Sequence, residues 1–209
     1  MAILVSSSPL PAQPFVDALR ALAPGVPVWS EADDPPAEKV EALLAWRLKP
    51  GTVPRYPQLR VLCSVGAGAE KLLVEDVPDH VSVTRVVDPL QAQEIAQYVL
   101  ACTLRFTREL PLYEQQQSRA EWRRHPVRPA SRCRVGLLGL GAVGQAVARA
   151  FAPLGYEVSA WVRRGREWPG VQVFSGTDGL HRLLARSDIL VCTLPLTSLP
   201  MVTPPWPAR

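Results

Sequence analysis

The sequence lacks the features that mark a metal-binding, disulfide-rich or membrane protein. Its four cysteines, at positions 63, 102, 133 and 192, form no CxxC pair and have no histidine beside them. We therefore expect neither a zinc site nor a disulfide framework. No apolar run reaches the length of roughly 18 residues that a membrane span needs. The start, MAILVSSSPL, carries no cationic segment before its apolar run, so we expect no signal peptide and a cytoplasmic protein without a membrane partner.

Lysine is also scarce, with three lysines against twenty arginines and a net charge of +4. A basic chain raises the possibility of an anionic ligand or of nucleic acid. The densest basic stretch, residues 119–134, is interrupted by Pro126 and Pro129 and matches no nucleic-acid-binding motif. We interpret it as a solvated connector and expect no nucleic-acid partner, while a polyanion-binding protein remains an alternative.

Apolar residues are abundant: 47% of the chain is hydrophobic and 20% is charged, which excludes a disordered chain. Proline is unusually frequent, with 22 in 209 residues against a usual share of about 5%. Most prolines are scattered at turns, but five follow Asp188. The length allows one large domain or two modest ones.

Short Val- and Leu-rich runs alternate with helical patterns in the first hundred residues, which is typical of a buried parallel sheet. The predicted strands cover residues 2–6, 26–29, 42–46, 60–65 and 81–86. The predicted helices cover residues 12–23 and 70–74 and a long segment after Asp88-Pro89, with Ile95, Val99, Cys102 and Phe106 as its apolar positions.

The clearest motif is a glycine-rich turn between a strand at 135–138 and a helix. It has the GxGxxG spacing of a dinucleotide site, in which the glycines allow a tight turn, close approach of a pyrophosphate and close helix packing. The helix N-terminus would supply unpaired N–H groups to the phosphates. The predicted cofactor-binding residues of the turn are Gly139, Leu140, Gly141, Ala142, Val143 and Gly144.

The end of the next strand, 157–161, indicates which dinucleotide is bound. An NAD site has a carboxylate here for the ribose hydroxyls, but this chain has Arg163, Arg164 and Arg166. Guanidinium groups suit a 2′-phosphate, so NADP(H) is predicted and NAD(H) is less favoured; a solvated arginine loop is the alternative.

Further strands are predicted at 171–174 and 189–194, with a helix between them capped by Thr177 or Asp178. The fourth strand should end at the cofactor cleft of a doubly wound sheet. Its last residues and those that follow are additional candidates for contact with the cofactor: Leu194, Pro195 and Thr197.

Three stretches, SVGAGAEKLL at 64–73, GLLGLGAVGQAVA at 136–148 and AWVRRGREWPGVQVFSG at 160–176, resemble the D-isomer-specific 2-hydroxyacid dehydrogenase family, in particular its glyoxylate/hydroxypyruvate reductase branch. The resemblance implies an α/β protein that is usually a homodimer. It implies a flavodoxin-like substrate domain over 1–110, a linker over 111–133, and the first half of a Rossmann doubly wound parallel-sheet domain over 134–197. Residues 198–209 form a divergent tail.

The same resemblance implies a site for a small 2-keto acid. The backbone N–H groups of Gly66, Ala67 and Gly68 would hold its carboxylate, with Trp46 as a wall and Arg47 at the mouth. A plain tight turn and a structural tryptophan are the alternatives. The implied reaction is hydride transfer from NADPH to the carbonyl carbon of glyoxylate or hydroxypyruvate.

The catalytic arginine, glutamate and histidine of the family lie beyond the fourth Rossmann strand, where this chain departs from the pattern after residue 197. His80, His125 and His181 are not expected to replace them, so no catalytic residue is predicted. The sequence alone favours a truncated reductase, from a frameshift or premature stop, with impaired turnover. A non-catalytic NADP(H)-binding module is the alternative.

Overall fold

The computed structural model describes residues 2–73, 77–165 and 167–195. The chain forms two compact units, one made of the described residues up to Val87 together with Pro195, and one made of Asp88–Leu194. The predicted contact residues Arg166 and Thr197 and the predicted tail 198–209 lie outside the described residues.

A five-stranded parallel sheet forms the first unit, in the order β2-β1-β3-β4-β5. This is the flavodoxin-like strand order, so the predicted fold class is confirmed. The strands are β1 (Ala2–Ser6), β2 (Val28–Ser30), β3 (Val40–Ala45), β4 (Val61–Ser64) and β5 (Ser82–Thr84), and helix α1 spans Gln13–Leu22. The strand ends differ from the predicted ones by up to two residues because turn residues flank each run.

Both faces of this sheet are covered, which explains why its strands are apolar without alternation. Leu4, Leu43 and Leu62 align across β1, β3 and β4 and are fully buried on one face. Val5 is buried on the other face against Val16 of α1. The carboxyl ends of the strands therefore present loops at one edge of a rigid layer.

The helix predicted over 70–74 is absent from the described part of that segment. Residues 70–72 form a turn, in which the Leu72 N–H donates to the Ala69 carbonyl at 2.9 Å. Leu72 is fully buried in the core of the first unit. Burial of this one side chain fixes the turn, and a helix is not needed to place it.

The second unit contains a four-stranded parallel sheet in the order β8-β7-β6-β9. This is half of the Rossmann order, as predicted. The elements are β6 (Arg134–Leu138), α4 (Ala142–Phe151), β7 (Glu157–Val162), β8 (Gln172–Ser175), α5 (Gly176–Arg186) and β9 (Ile189–Cys192). Val147 and Phe151 of α4 are fully buried in its core.

The long helix α2 spans Pro89–Thr107 and begins at Asp88, whose carboxylate accepts from the Leu90 N–H at 2.8 Å, as predicted. Its buried residues, however, are Ala92, Ala96 and Thr103. The predicted apolar face differs: Ile95, Cys102 and Phe106 are exposed, and Val99 alone packs on the core of the second unit. Because the side chains of Ala92 and Ala96 are small, α2 packs closely against α4. A prediction based on large apolar residues misses a packing face of this kind.

This packing changes the domain boundary. The sequence placed the first boundary at residue 110, whereas α2 packs within the second unit, which begins at Asp88. The predicted linker 111–133 also contains structure, because helix α3 covers Leu110–Ser118. Buried Gln116 of that helix donates to the Arg123 carbonyl at 3.2 Å and lies 3.1 Å from His125 Nε2.

Helix α5 begins earlier than predicted, with Ser175 as its N-cap residue, so Thr177 and Asp178 lie within its first turn and do not cap it. Asp178 there still interacts favourably with the positive end of the helix dipole. Among the described residues, no helix is both long and apolar enough to cross a membrane.

Candidate functional site

The turn after β6 is shaped by two glycines. Gly139 has a φ of +100°, in the region that favours glycine, and its N–H donates to the Trp161 carbonyl at 2.9 Å. A Cβ on Gly144 would collide with the Gly139 carbonyl oxygen. The first turn of α4 can therefore lie directly against the strand end only if residue 144 is glycine.

The N-terminus of α4 is open to a ligand. Gly141 is the N-cap residue and no side chain caps the helix. Within the described part of the chain, the N–H groups of Ala142, Val143 and Gly144 donate to no protein atom. Among the described residues, a Cβ on Gly141 would meet nothing within 4 Å, so no described atom fills the space beside this end of the helix. Three backbone donors and the helix dipole favour an anion there.

Leu140 contributes only its backbone to this turn. Its side chain is buried in the core and its carbonyl accepts from the Gln145 side-chain amide at 3.0 Å. Leu194 packs partly buried near Leu138, and its Cδ2 lies 3.1 Å from the position of a Cβ on Gly139. Leu194 thus supports the turn from the neighbouring strand.

Thr193 is a residue that the sequence did not single out. It follows β9, and its hydroxyl lies 3.1 Å from the Leu138 carbonyl and 3.2 Å from the Gly139 carbonyl, to which it donates. This bond fixes the turn from a strand more than fifty residues away. A hydroxyl residue at the carboxyl end of the strand beside β6 is the signal that could have identified it.

Arg163 and Arg164 directly follow β7 and are exposed. No ion pair engages either of them within the described ranges, and residues 161–165 contain no carboxylate. The following segment surrounds a cavity of about 680 Å³, lined in part by Gly165, Trp168 and Ser175. Its volume suits a small organic ligand.

The predicted carboxylate-binding turn follows β4 in the first unit. Its three carbonyls are all engaged: Gly66 accepts from the Val86 N–H at 3.1 Å. Ala67 accepts from Arg85 Nη1 at 3.1 Å, and Gly68 accepts from the Ser64 hydroxyl at 2.6 Å. The turn is therefore held through all three of its carbonyls by three separate donors.

The N–H groups of the turn differ in whether they already have a hydrogen-bond acceptor in the protein. The Gly66 N–H donates to the Ser64 hydroxyl at 3.2 Å, so the sequence prediction that all three N–H groups serve a ligand does not fit this residue. The N–H groups of Ala67, Gly68 and Ala69 donate to no other described residue. Two predicted donors and one additional donor are thus available.

Trp46 lies against this turn. Its ring is half-buried, and Cζ3 lies 2.9 Å from the position of a Cβ on Gly66. Lys71 Nζ lies 4.9 Å from the centre of the indole ring, a cation–π distance. Arg47 is exposed, and no hydrogen bond or ion pair joins its side chain to the turn among the described residues. The structure thus brings together Trp46 and Gly66–Gly68, but not Arg47.

Comparison with known proteins matches this architecture. The family described as D-isomer specific 2-hydroxyacid dehydrogenase, NAD binding domain, matches residues 100–199. A curated glyoxylate/hydroxypyruvate reductase A from Enterobacter sp. (strain 638) is 29% identical over 194 residues, which cover 88% of this chain and 60% of that protein.

Two solved structures are similar over nearly all of this chain. A D-isomer-specific 2-hydroxyacid dehydrogenase from Xanthobacter autotrophicus Py2, in complex with NADPH and MES, is 37% identical, with a TM-score of 0.83 over 94% of this chain and 64% of its own. An NADPH-dependent glyoxylate/hydroxypyruvate reductase from Sinorhizobium meliloti, in complex with NADP and sulfate, is 30% identical, with a TM-score of 0.79 and coverage of 94% and 63%. The chain thus spans less than two thirds of the length of these relatives.

Proposed function

Because the chain belongs to the D-isomer-specific 2-hydroxyacid dehydrogenase family, we propose that it binds NADP(H) at the glycine turn 139–144. The observation that carries this proposal is the open N-terminus of α4, where the N–H groups of residues 142–144 donate to no protein atom among the described residues. Gly139 and Gly144 permit the close packing that exposes these donors. The residues present therefore fit a dinucleotide pyrophosphate.

The preference for NADP(H) over NAD(H) rests on charge. Arg163 and Arg164 are exposed at the end of β7 without an ion-pair partner among the described residues. A 2′-phosphate needs such cationic partners, whereas an unmodified ribose needs a carboxylate. The NADPH and NADP in the similar structures from Xanthobacter autotrophicus and Sinorhizobium meliloti support the same choice.

For the substrate, we propose a small 2-keto acid, glyoxylate or hydroxypyruvate, with its carboxylate on the N–H groups of Ala67 and Gly68. Trp46 would limit the size of the acid, since its ring lies against Gly66. When bound, NADPH would supply a hydride to the carbonyl carbon of the acid, and a proton from the protein or solvent to the carbonyl oxygen would give the 2-hydroxy acid. This activity is the one named for the relatives from Enterobacter and Sinorhizobium.

A fluorescence titration with NADPH tests the cofactor proposal. The double variant Arg163→Glu/Arg164→Glu should weaken NADPH binding at least about a hundredfold, because two cations that face the 2′-phosphate become anions. The matched control is Arg123→Glu/Arg124→Glu, the same charge reversal at two adjacent exposed arginines of the second unit. Equal losses in both variants, or no NADPH response in the folded parent chain, would refute the proposal.

Addition of glyoxylate or hydroxypyruvate to the NADPH-bound chain separates two functions. Loss of NADPH absorbance over many turnovers establishes the reductase. Tight NADPH binding without consumption establishes instead a non-catalytic NADP(H)-binding module, the second function that the sequence allows.

We also propose that the protein forms a homodimer, as the family resemblance implies. Leu90, Tyr98 and Phe106 of α2 are 65%, 71% and 78% exposed. Large apolar side chains that are exposed to this degree are typical of protein interfaces. Light scattering should give twice the chain mass, and Phe106→Asp should reduce it to one chain mass, whereas Leu22→Asp on α1 should not.

A further inference from the structure

We propose that Ser64 is a positioning residue that, together with Arg85, aims the backbone N–H groups of residues 67–69 at a substrate carboxylate. The inference rests on the proposed binding of a 2-keto acid at this turn and adds the residues that prepare the turn for it. Neither side chain would touch the substrate. Both hold carbonyls of the turn, and the geometry of the peptide bond transmits their effect to the donors.

The first step concerns the carbonyls. Each of the three consecutive carbonyls from Gly66 to Gly68 has its own donor, namely the Val86 N–H, Arg85 Nη1 and the Ser64 hydroxyl. Only the first of these is a backbone group that every sequence would supply. The directions of the Ala67 and Gly68 carbonyls therefore depend on two particular side chains.

The second step follows from the planar trans peptide, in which the C=O and the N–H of one unit point in opposite directions. The carbonyl of residue 66 shares its peptide with the N–H of residue 67, and the same holds for 67 with 68 and for 68 with 69. Anchoring each of the three carbonyls therefore turns the N–H group of the same peptide away from the donor of that carbonyl. Successive N–H groups on one side form an anion-binding concavity.

The third step is the dual role of the Ser64 hydroxyl. It donates to the Gly68 carbonyl at 2.6 Å and accepts from the Gly66 N–H at 3.2 Å, so one oxygen joins both ends of the turn. Ser64 is 1% exposed, which means that water is not in place to substitute for the hydroxyl. Because the Ser64 hydroxyl accepts from the Gly66 N–H, that N–H is not available to a ligand. The N–H groups of residues 67–69 would therefore bind the anion.

A second buried serine provides a matched control. Ser7 is also 1% exposed, follows β1 of the same sheet, and its hydroxyl donates to the Leu10 carbonyl at 3.0 Å. Removal of the Ser7 hydroxyl costs one local hydrogen bond and removal of the Ser64 hydroxyl costs two, all within the same unit. Only the Ser64 hydroxyl belongs to the 66–68 turn, so only its removal should change anion binding.

The test is a titration of the ¹⁵N-labelled full chain with oxalate, followed by the amide shifts of Ala67, Gly68 and Ala69, with thermal unfolding of each variant in parallel. Ser64→Ala should weaken oxalate binding about five- to tenfold, because the donors are no longer held in one orientation. Ser64→Thr keeps the hydroxyl, so its oxalate affinity should stay within about twofold of that of the parent chain. The oxalate affinity of Ser7→Ala should also stay within about twofold, even if its unfolding temperature falls as far as that of Ser64→Ala.

Arg85→Met supplies an independent variant, because Arg85 is exposed and its loss leaves the core intact. It should weaken oxalate binding about threefold, and it keeps the proposal testable if Ser64→Ala does not fold. The proposal is overturned if Ser64→Ala and Arg85→Met bind oxalate as the parent does, or if Ser7→Ala loses as much affinity as Ser64→Ala. Failure of the parent chain to bind oxalate at these amides overturns instead the keto-acid site itself, and this inference with it.

Discussion

The two glycine-rich turns of this protein prepare backbone N–H groups for an anion in different ways. At 139–144 the donors belong to the first turn of helix α4, and the helix itself fixes their direction. After the turn at 66–68, the described residues up to 73 form no helix, and the direction of the donors depends on Ser64 and Arg85. The first turn should therefore be sensitive to steric changes in its glycines, and the second to the loss of side-chain hydrogen bonds.

The largest expected effect is on the first turn. Gly144→Ala places a Cβ against the Gly139 carbonyl oxygen, so α4 must move from the strand end. We expect a loss of about 1–3 kcal/mol in the free energy of unfolding, from overpacking of backbone against backbone, and a loss of NADPH binding. Urea unfolding and NADPH fluorescence measure the two effects.

Gly141→Ala is the matched variant at the same turn. A Cβ there meets nothing within 4 Å, and the φ of Gly141 is −74°, which alanine adopts without strain. The free energy of unfolding should stay within about 0.5 kcal/mol of the parent. NADPH affinity should nevertheless fall about tenfold, because the methyl group occupies the space in front of the helix donors. Unchanged NADPH affinity in Gly141→Ala would place the cofactor elsewhere.

The sequence predicted both turns because glycine spacing is a local signal, and it predicted both parallel sheets because Val- and Leu-rich runs are local too. It could not predict the groups that reach the turns through space. Thr193 meets Gly139 across more than fifty residues, and Arg85 meets Ala67 across 18. It also missed Ala92 and Ala96 as the packed face of α2, because alanine is compatible with either side of a helix.

The second unit contains a carboxylate that should make its stability depend on pH. In the second unit, Asp188 accepts from the side chain and backbone N–H of Arg134 at 2.9–3.2 Å and from Arg128 at 3.0 Å. Hydrogen bonds from Arg134 are the largest cause that holds the pKa of this carboxyl far below its usual range, with further contributions from Arg128. A lowered pKa in the folded state means that the stabilisation is present above the ordinary pKa of an aspartate and is lost as the pH falls below it.

Asp188→Asn should therefore destabilise the second unit by about 1–2 kcal/mol at pH 7 and by much less at acid pH. Urea unfolding followed by tryptophan fluorescence at a series of pH values measures the difference. Glu121→Gln, at an exposed carboxylate of the second unit, controls for the loss of one negative charge. A destabilisation by Asp188→Asn that is the same at every pH would show that the carboxylate charge contributes nothing.

The smallest expected effect is that of Glu70 on anion binding at the second turn. A Cβ on Gly68 would collide with Glu70 Oε2, so a carboxylate lies beside donors that are proposed to bind a carboxylate. Glu70→Gln should strengthen oxalate binding about twofold, since an exposed like charge contributes only a few tenths of a kcal/mol. The gain should vanish in high salt, which screens exposed charges.

The control is Glu38→Gln. Glu38 lies just before the amino end of β3 and thus at the opposite edge of the sheet, so this variant should leave oxalate affinity unchanged. A gain of equal size in both variants would show that oxalate affinity responds to the net charge of the chain and not to Glu70 in particular. Selective binding of an anion at this turn would then depend on the orientation of its N–H groups by Ser64 and Arg85 alone.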